Sequence, residues 1–350
     1  EIPRDLSIPG RPSVIGIARG TGGGNTLLLN GHIDTVGAGG MPNPHIPEVR
    51  NGRLYGRGSY DMKGGLAACM IAAADAAGPD RSRLRGDVII AAVADEEYAG
   101  RGTTGVVEYL RNAGIIVHGA LVAEGTNEEL IIAHKGFAWL EVETYGTAAH
   151  GSRPDLGVDA IVSMGHFLSG LDRLNGRLMN SGLPNGQRHP LLGTGSVHAS
   201  LISGGRELST YPDECRLSIE RWTIPGETGS GAVEELEGII RELSSPDGSR
   251  FNGRVRKTLE RGPLETPPGS PLVRQFLEAA ERAAGKTVPV VGAPYWTDAA
   301  TLHDAGIPAV LFGPAGAGAH AAEEWVDLSS VFRCASIFAE LVKGFCGQTA

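Results

Sequence analysis

The chain lacks any apolar run approaching the roughly 18–20 residues that span a bilayer, so no membrane partner is expected. It also lacks an excess of basic charge. Its 31 Lys and Arg stand against 40 Asp and Glu, and the resulting net charge of −9 disfavours nucleic acid and anionic surfaces as partners. Cysteine is scarce: Cys69, Cys215, Cys334 and Cys346 are scattered, with neither ligand nor disulfide spacing. They are expected to be reduced, in a cytoplasmic setting. The glycine run Thr21-Gly22-Gly23-Gly24-Asn25 lacks the Gly-Lys-Ser/Thr of a phosphate loop and precedes a strand, so it reads as a turn. No signal-type segment follows Glu1, which stands where a Met would, and a trimmed or processed N-terminus is expected.

What is present describes an ordinary globular chain. Hydrophobic residues make up 41% and charged residues 20% of 350 residues, enough for two domains or one large domain carrying an insertion. Apolar runs end in polar residues at intervals. Thr26-Leu27-Leu28-Leu29 leads into Gly31-His32-Ile33-Asp34, and Asp87–Ala94 leads into Asp95-Glu96-Glu97. Ala120–Ala123 leads into Glu124, and Ala309–Phe312 into a glycine-rich loop carrying His320. These runs read as buried strands, whose C-terminal ends are where open α/β sheets place their sites. Leu66–Ala77 reads as a buried helix stopped at Gly78-Pro79, with Asp61 just before it as either a helix cap or a ligand. The helix Thr104–Asn112 between the second and third strands implies a parallel pair with a right-handed crossover.

From residue 136 to 263 the pattern changes. Four segments, Phe137–Tyr145, Val197–Ser203, Glu214–Trp222 and Arg254–Leu259, read as strands, and Asp155–Leu174 and Ala232–Leu243 as amphipathic helices. Strands and helices sorted this way indicate an α+β domain of one open sheet and two helices. The fold class expected is therefore an α/β domain, a mixed sheet flanked by helices, formed by residues 1–135 and 264–350 and interrupted by an α+β domain at 136–263. Ser270-Pro271 opens a helix ending at Gly285 on the return.

His32 and Asp34, two apart on a strand, share a face, and a carboxylate beside an imidazole is a common metal-site arrangement. Alone that spacing is weak. Three adjacent carboxylates at Asp95-Glu96-Glu97 repel one another unless a cation lies among them or water surrounds them. His32, Asp61, Glu97, Glu124 and His320 together give five nitrogen and oxygen donors without thiolates, a set suited to zinc, or to cobalt or manganese in its place. Five exceed the three ligands of one catalytic zinc. Shared through one carboxylate, they make two three-ligand sites.

The stretches Gly31–Val36, Gly56–Gly65, Asp95–Glu97, Ala123–Thr126, Gly146–Pro154 and Gly318–His320, in this order, resemble the di-zinc amidohydrolases that include acetylornithine deacetylase, succinyl-diaminopimelate desuccinylase, aminoacylase and carboxypeptidase G. The resemblance implies two zinc ions per subunit, with Asp61 bridging, His32 and Glu124 completing one site, and Glu97 and His320 the other. It implies that Asp34 orients His32 and that Glu96 is the general base for a metal-bridging hydroxide. The 136–263 domain resembles a lid that also forms a homodimer, from which His150 would reach the partner's site and stabilise an oxyanion. Arg221 resembles a residue that grips a substrate carboxylate; a surface salt bridge is its other reading. The activity implied is hydrolysis of an amide bond in an N-acyl amino acid or small peptide with a free carboxylate, or alternatively di- or tripeptidase action. An inactive binding homologue is a further alternative. Leu208-Ser209-Thr210-Tyr211-Pro212 departs from the Asn that relatives often carry there, which bears on substrate preference.

Overall fold

A computed structural model describes residues 10–78, 84–98, 100–181, 188–244 and 251–347; Pro79, expected to stop the first long helix, lies outside them. The chain divides into two compact units. The first takes in the chain up to Ala133, then Leu264–Gly292 and the part from Thr297 onward; the second is His134–Pro263 with Ala293–Trp296.

The first unit is built on an eight-stranded mixed sheet. Its order is Val14–Ala18, Val88–Val93, Leu27–His32, Gly119–Val122, Ala309–Leu311, Leu130–His134 and Leu264–Glu265, with Val290–Ala293 paired to Leu130–His134. Leu27–His32 lies parallel to both Val88–Val93 and Gly119–Val122. The two strands joined by the helix Arg101–Asn112 are therefore parallel but not neighbours. Leu27–His32 is inserted between them, so three strands send their C-terminal ends to one edge.

Both faces of these strands are covered, which is why their sequences are almost unbroken apolar runs. Leu27, Leu29 and Leu121 join one core with residues of the helices Gly64–Ala76, Pro271–Ala284 and Leu328–Cys346. There Phe276 and Phe338 flank Phe312, with ring centroids 4.8 and 6.3 Å away. Leu28 and Ile89, of opposite parity, are equally buried. The helices Arg101–Asn112 and Ala299–Asp304 pack from that side. As expected, Ser270 caps its helix, its Oγ accepting the Val273 N–H at 3.3 Å, and Gly285 ends it in the left-handed region. A further long helix, Leu328–Cys346, follows the strand Trp325–Asp327. Asp327 starts it by accepting the N–H groups of Ser329 and Ser330. Among the described residues no helix is long and apolar enough to cross a membrane.

A small antiparallel sheet completes the unit in the order Gly316–Ala317, Trp325–Asp327, Arg53–Tyr55, Glu48–Arg50. It ties the segment after the last long strand to the segment before Asp61.

The second unit is a four-stranded antiparallel sheet, ordered Gly253–Arg261, Gly136–Tyr145, Glu214–Thr223, Ser196–Gly204. Ala138, Leu140, Val142, Leu217 and Ile219 form its core with Phe167 and Leu171 of the helix Ala160–Ser181 and Leu236 and Ile239 of the helix Gly229–Leu243. The first helix begins at Ala160, not Asp155. Thr147 and Val158 exchange both backbone hydrogen bonds, at 2.9 and 3.0 Å, and hold the preceding residues in a closed loop.

The helix Gly64–Ala76 lies so close to the end of Gly119–Val122 that a Cβ on Gly65 would fall 1.7 Å from the Ala123 carbonyl oxygen. Gly65→Ala should therefore destabilise the chain by about 1–3 kcal/mol, despite alanine's better helix propensity. A urea midpoint equal to the parent's would show that this approach does not limit packing.

Candidate metal centre

The sheet edge assembles the donors. His32 is the last residue of Leu27–His32 and is 1% exposed. Its Nε2 lies 3.1 Å from Asp61 Oδ1 and 3.8 Å from Glu124 Oε1. From the opposite side, His320 Nε2 lies 3.2 Å from Asp61 Oδ2 and 3.0 Å from Glu97 Oε2. Asp61 thus gives one oxygen to each imidazole. Within each of two groups, His32, Asp61, Glu124 and Asp61, Glu97, His320, the donor atoms all lie within 4.8 Å of one another. Bonds of about 2.0–2.1 Å to a tetrahedral zinc put neighbouring ligand atoms roughly 3.3 Å apart. The observed separations bracket that value, and histidine with carboxylate suits zinc, cobalt or manganese. The residues fit a pair of ions sharing Asp61.

Local structure explains how each donor arrives. Asp61 sits in the wide turn Ser59–Lys63, whose Asp61–Met62 peptide is cis. It does not cap the helix that follows: the cap position is Lys63 and no side chain bonds there. Of the three carboxylates after Val88–Val93, Asp95 turns away at φ +73°. Its oxygens take Arg101 Nε at 2.7 Å and Arg11 Nη2 at 2.9 Å. Arg101 holds the Asp95 carboxyl below its usual range. Only Glu96 and Glu97 are left to face the donors. Asp34 accepts the N–H groups of Glu96 and Glu97 at 3.4 and 3.3 Å. Its backbone carbonyl, 3.0 Å away, meets His32 Nδ1, while its carboxylate is 3.8 Å from that nitrogen. Asp34 therefore touches both the imidazole and the acidic turn.

Crowding the carboxylates shifts their protons. Burial alone would discourage charge on His32, but the Asp61 hydrogen bond and the charges of Glu124 and Glu96 outweigh it and raise its proton affinity well above normal. Asp61 is held below its usual range: burial pushes it up, but the hydrogen bond to His32 and the charges of His32 and His320 pull it down further. Burial, then the charges of Glu124 and Asp298, push Glu96 well up. Burial and Asp61 raise Glu97. Glu124 is pushed up to about 8, chiefly by burial.

The match to a model of the peptidase family M20/M25/M40 extends over residues 28–344. The chain belongs to this family. It is 31% identical over 339 residues to an acetylornithine deacetylase of Myxococcus xanthus, covering 96% of this chain and 84% of that protein. It is 30% identical over 371 residues to the N-formyl-4-amino-5-aminomethyl-2-methylpyrimidine deformylase of Bacillus subtilis, covering 97% and 84%. Its fold is that of the Bacillus subtilis YxeP protein, a dinuclear metal binding peptidase of the M20 family, with a TM-score of 0.69 at 18% identity over 95% of this chain and 84% of that one. The protein is accordingly an M20 hydrolase.

Two residues expected at the site lie in the second unit. His150 is exposed; its Nδ1 lies 2.9 Å from Ser152 Oγ, and its backbone bridges Thr210, in the segment where the sequence departs from relatives. Arg221 is a correction. Strand parity puts it on the helix-covered face with Leu217 and Ile219, 3% exposed. Its Nε and Nη2 donate to Glu235 at 3.0 and 3.1 Å, and Nη1 and Nη2 to Glu227 at 3.1 and 3.0 Å. Nη1 also bonds the Trp222 carbonyl. A guanidinium has five N–H groups, and these contacts use all of them, so none is left to grip a substrate carboxylate.

Two acidic residues escaped notice in the sequence. Asp298 is buried and accepts the Thr103 hydroxyl at 2.7 Å, and Thr103 in turn accepts Asn30 Nδ2 at 3.1 Å. Glu324 is buried beneath the Asp61 turn. The available signal was the polar residue beside an apolar run in Trp296-Thr297-Asp298-Ala299 and Glu324-Trp325-Val326.

Raised carboxylates and a raised imidazole hold protons that a bound cation must displace. Adding zinc to the metal-free M20 chain at pH 7 should release protons, and affinity should strengthen as pH rises through the region near 8 where Glu124 ionises. Calorimetry in two buffers of different ionisation enthalpy measures this; a buffer-independent heat would contradict it.

Proposed function

We propose that this M20 chain hydrolyses an amide bond, releasing the amine from an N-acyl amino acid or a small peptide. The observation that carries the reading is the pair of three-donor groups sharing Asp61, with a fourth carboxylate, Glu96, enclosed beside them. His32, Asp61 and Glu124 would hold one zinc ion, and Asp61, Glu97 and His320 a second. Such ions, or cobalt or manganese in their place, acidify a water and polarise a carbonyl oxygen.

The protein's own residues supply the rest. Glu96, whose proton affinity burial raises, takes the proton of the attacking water and delivers it to the leaving nitrogen. Asp34 fixes where that base stands by bonding its N–H. His150, donated by a second copy, stabilises the oxyanion. The names of the two relatives described above denote removal of an acyl group, acetyl or formyl, which favours a deacylase over a peptidase. With Arg221 consumed by Glu227 and Glu235, any preference for a substrate carboxylate rests on other residues. Four buried free cysteines fit a reducing, cytoplasmic setting.

Dimerisation through the second unit is part of the proposal. Ser196–Gly204 is an edge strand, and Leu201 and Ile202 on it are 72% and 56% exposed. An unpaired apolar edge invites pairing with another chain.

A panel of N-acetyl, N-formyl, N-succinyl and N-aminoacyl substrates, each with and without a free carboxylate and scored by released amine, tests the function. Hydrolysis of simple N-acyl compounds is expected; turnover of peptides alone would favour the peptidase reading. Glu96→Gln should lower kcat by about 10²–10⁴ with unchanged metal content, and near-normal turnover would remove Glu96 as the base. The double change Leu201→Asp with Ile202→Asp should give a monomer by light scattering; an intact dimer would place the interface elsewhere.

A further inference from the structure

Glu324 offers no donor to either group, yet its side chain is 0% exposed and accepts four hydrogen bonds. Oε2 takes Arg57 Nη1 at 2.8 Å and the Gly58 N–H at 2.8 Å. Oε1 takes the N–H groups of Tyr60 at 2.9 Å and of Asp61 itself at 3.0 Å. Arg57, its side chain 1% exposed, extends the contact. Its Nη2 donates to the Ala321 carbonyl at 2.7 Å, the residue after His320. The Gly56 N–H meets the Glu324 carbonyl at 3.1 Å.

These bonds fall on two short segments, 56–61 and 321–324, and each carries or adjoins one donor of the second group. Asp61 and His320 come from stretches far apart in sequence, and a buried ion pair spans the gap between their backbones. The interior supports a buried carboxylate only when it is paired and hydrogen-bonded throughout, which makes the arrangement rigid and geometrically exacting. Tyr60 carries the tie onward, its hydroxyl donating to the Gly125 carbonyl at 2.8 Å, next to Glu124.

We propose that Glu324, through its ion pair with Arg57, is the positioning residue that fixes Asp61 relative to His320 and so sets the geometry of the second metal group. This rests on the di-metal reading above. Glu324 touches no substrate; it acts through the Asp61 turn and the His320 loop.

The test is a titration of the metal-free full chain with cobalt(II) alone, followed by visible absorption and by competition with a chelator. The parent should bind two ions. Glu324→Gln keeps the side-chain volume and one acceptor oxygen but turns an amide N–H toward Arg57 and Gly58. It should weaken the second cobalt by roughly 10- to 100-fold, the range seen when partners of metal ligands are removed. Its ligand-field bands should shift, and the first ion's constant should change less. Arg57→Lys keeps the positive charge but loses the Ala321 contact, and should act in the same direction; it carries the test if Glu324→Gln does not fold. Parent-like constants and spectra in a folded variant, even at a lower melting temperature, would overturn the proposal and make the pair a stability element only. A parent chain that binds fewer than two cobalt ions would overturn it together with the di-metal reading, which keeps the two failures apart.

Discussion

Asp61, Glu96, Glu97 and Glu124 converge on one sheet edge beside His32 and His320, and the mutual repulsion of these carboxylates is what the surrounding structure works against. Like charges a few ångström apart, partly out of water, raise one another's proton affinity and push their segments apart. The fold answers with rigidity. The strands that deliver His32, Glu96, Glu97 and Glu124 are apolar on both faces and locked in a parallel ladder. Other acidic groups nearby are given partners of their own: Asp95 has Arg101 and Arg11, Glu324 has Arg57 and three backbone N–H groups, and Asp298 has Thr103. What remains crowded together is the donor set itself, with Glu96 beside it.

Much of this was legible because strand ends announce themselves. A buried strand is a run of leucine, valine, isoleucine and alanine, and the polar residues that follow it stand out; His32, Glu97 and Glu124 were visible this way, and His320 by the glycine-rich loop after such a strand. The four strands and two helices of the second unit were legible from their alternation, because one face meets a core and the other does not. What local pattern does not encode is adjacency. Nothing near Val88–Val93 or Gly119–Val122 says that Leu27–His32 lies between them. Asp298 and Glu324 draw their meaning from bonds to residues about 200 to 270 positions away, so each reads in sequence as an ordinary acidic residue. Arg221 fails for a different reason. Its parity on the strand, shared with Leu217 and Ile219, was readable and points it under a helix, where Glu235 waits.

The small antiparallel sheet is the least conspicuous part of the first unit, yet it joins the two halves of the donor set. Trp325–Asp327 pairs with Arg53–Tyr55, which brings Glu324 beside the turn that presents Asp61. Three-residue strands contribute little stability alone; their register matters because a slip of one residue would turn Glu324 away from the N–H groups it holds.

The insertion of the second unit has a consequence for the life of the chain before folding is complete. His32, Asp61, Glu97 and Glu124 are synthesised first, but His320 and Glu324 follow about 200 residues later, roughly 10–40 s of translation at ordinary rates. Over that interval the nascent chain carries Asp61, Glu96, Glu97 and Glu124 without the His320 imidazole and the buried ion pair that complete their setting. The donor set cannot close until residues 320 to 324 have been made and folded back beside Asp61, so its two groups are completed at different times.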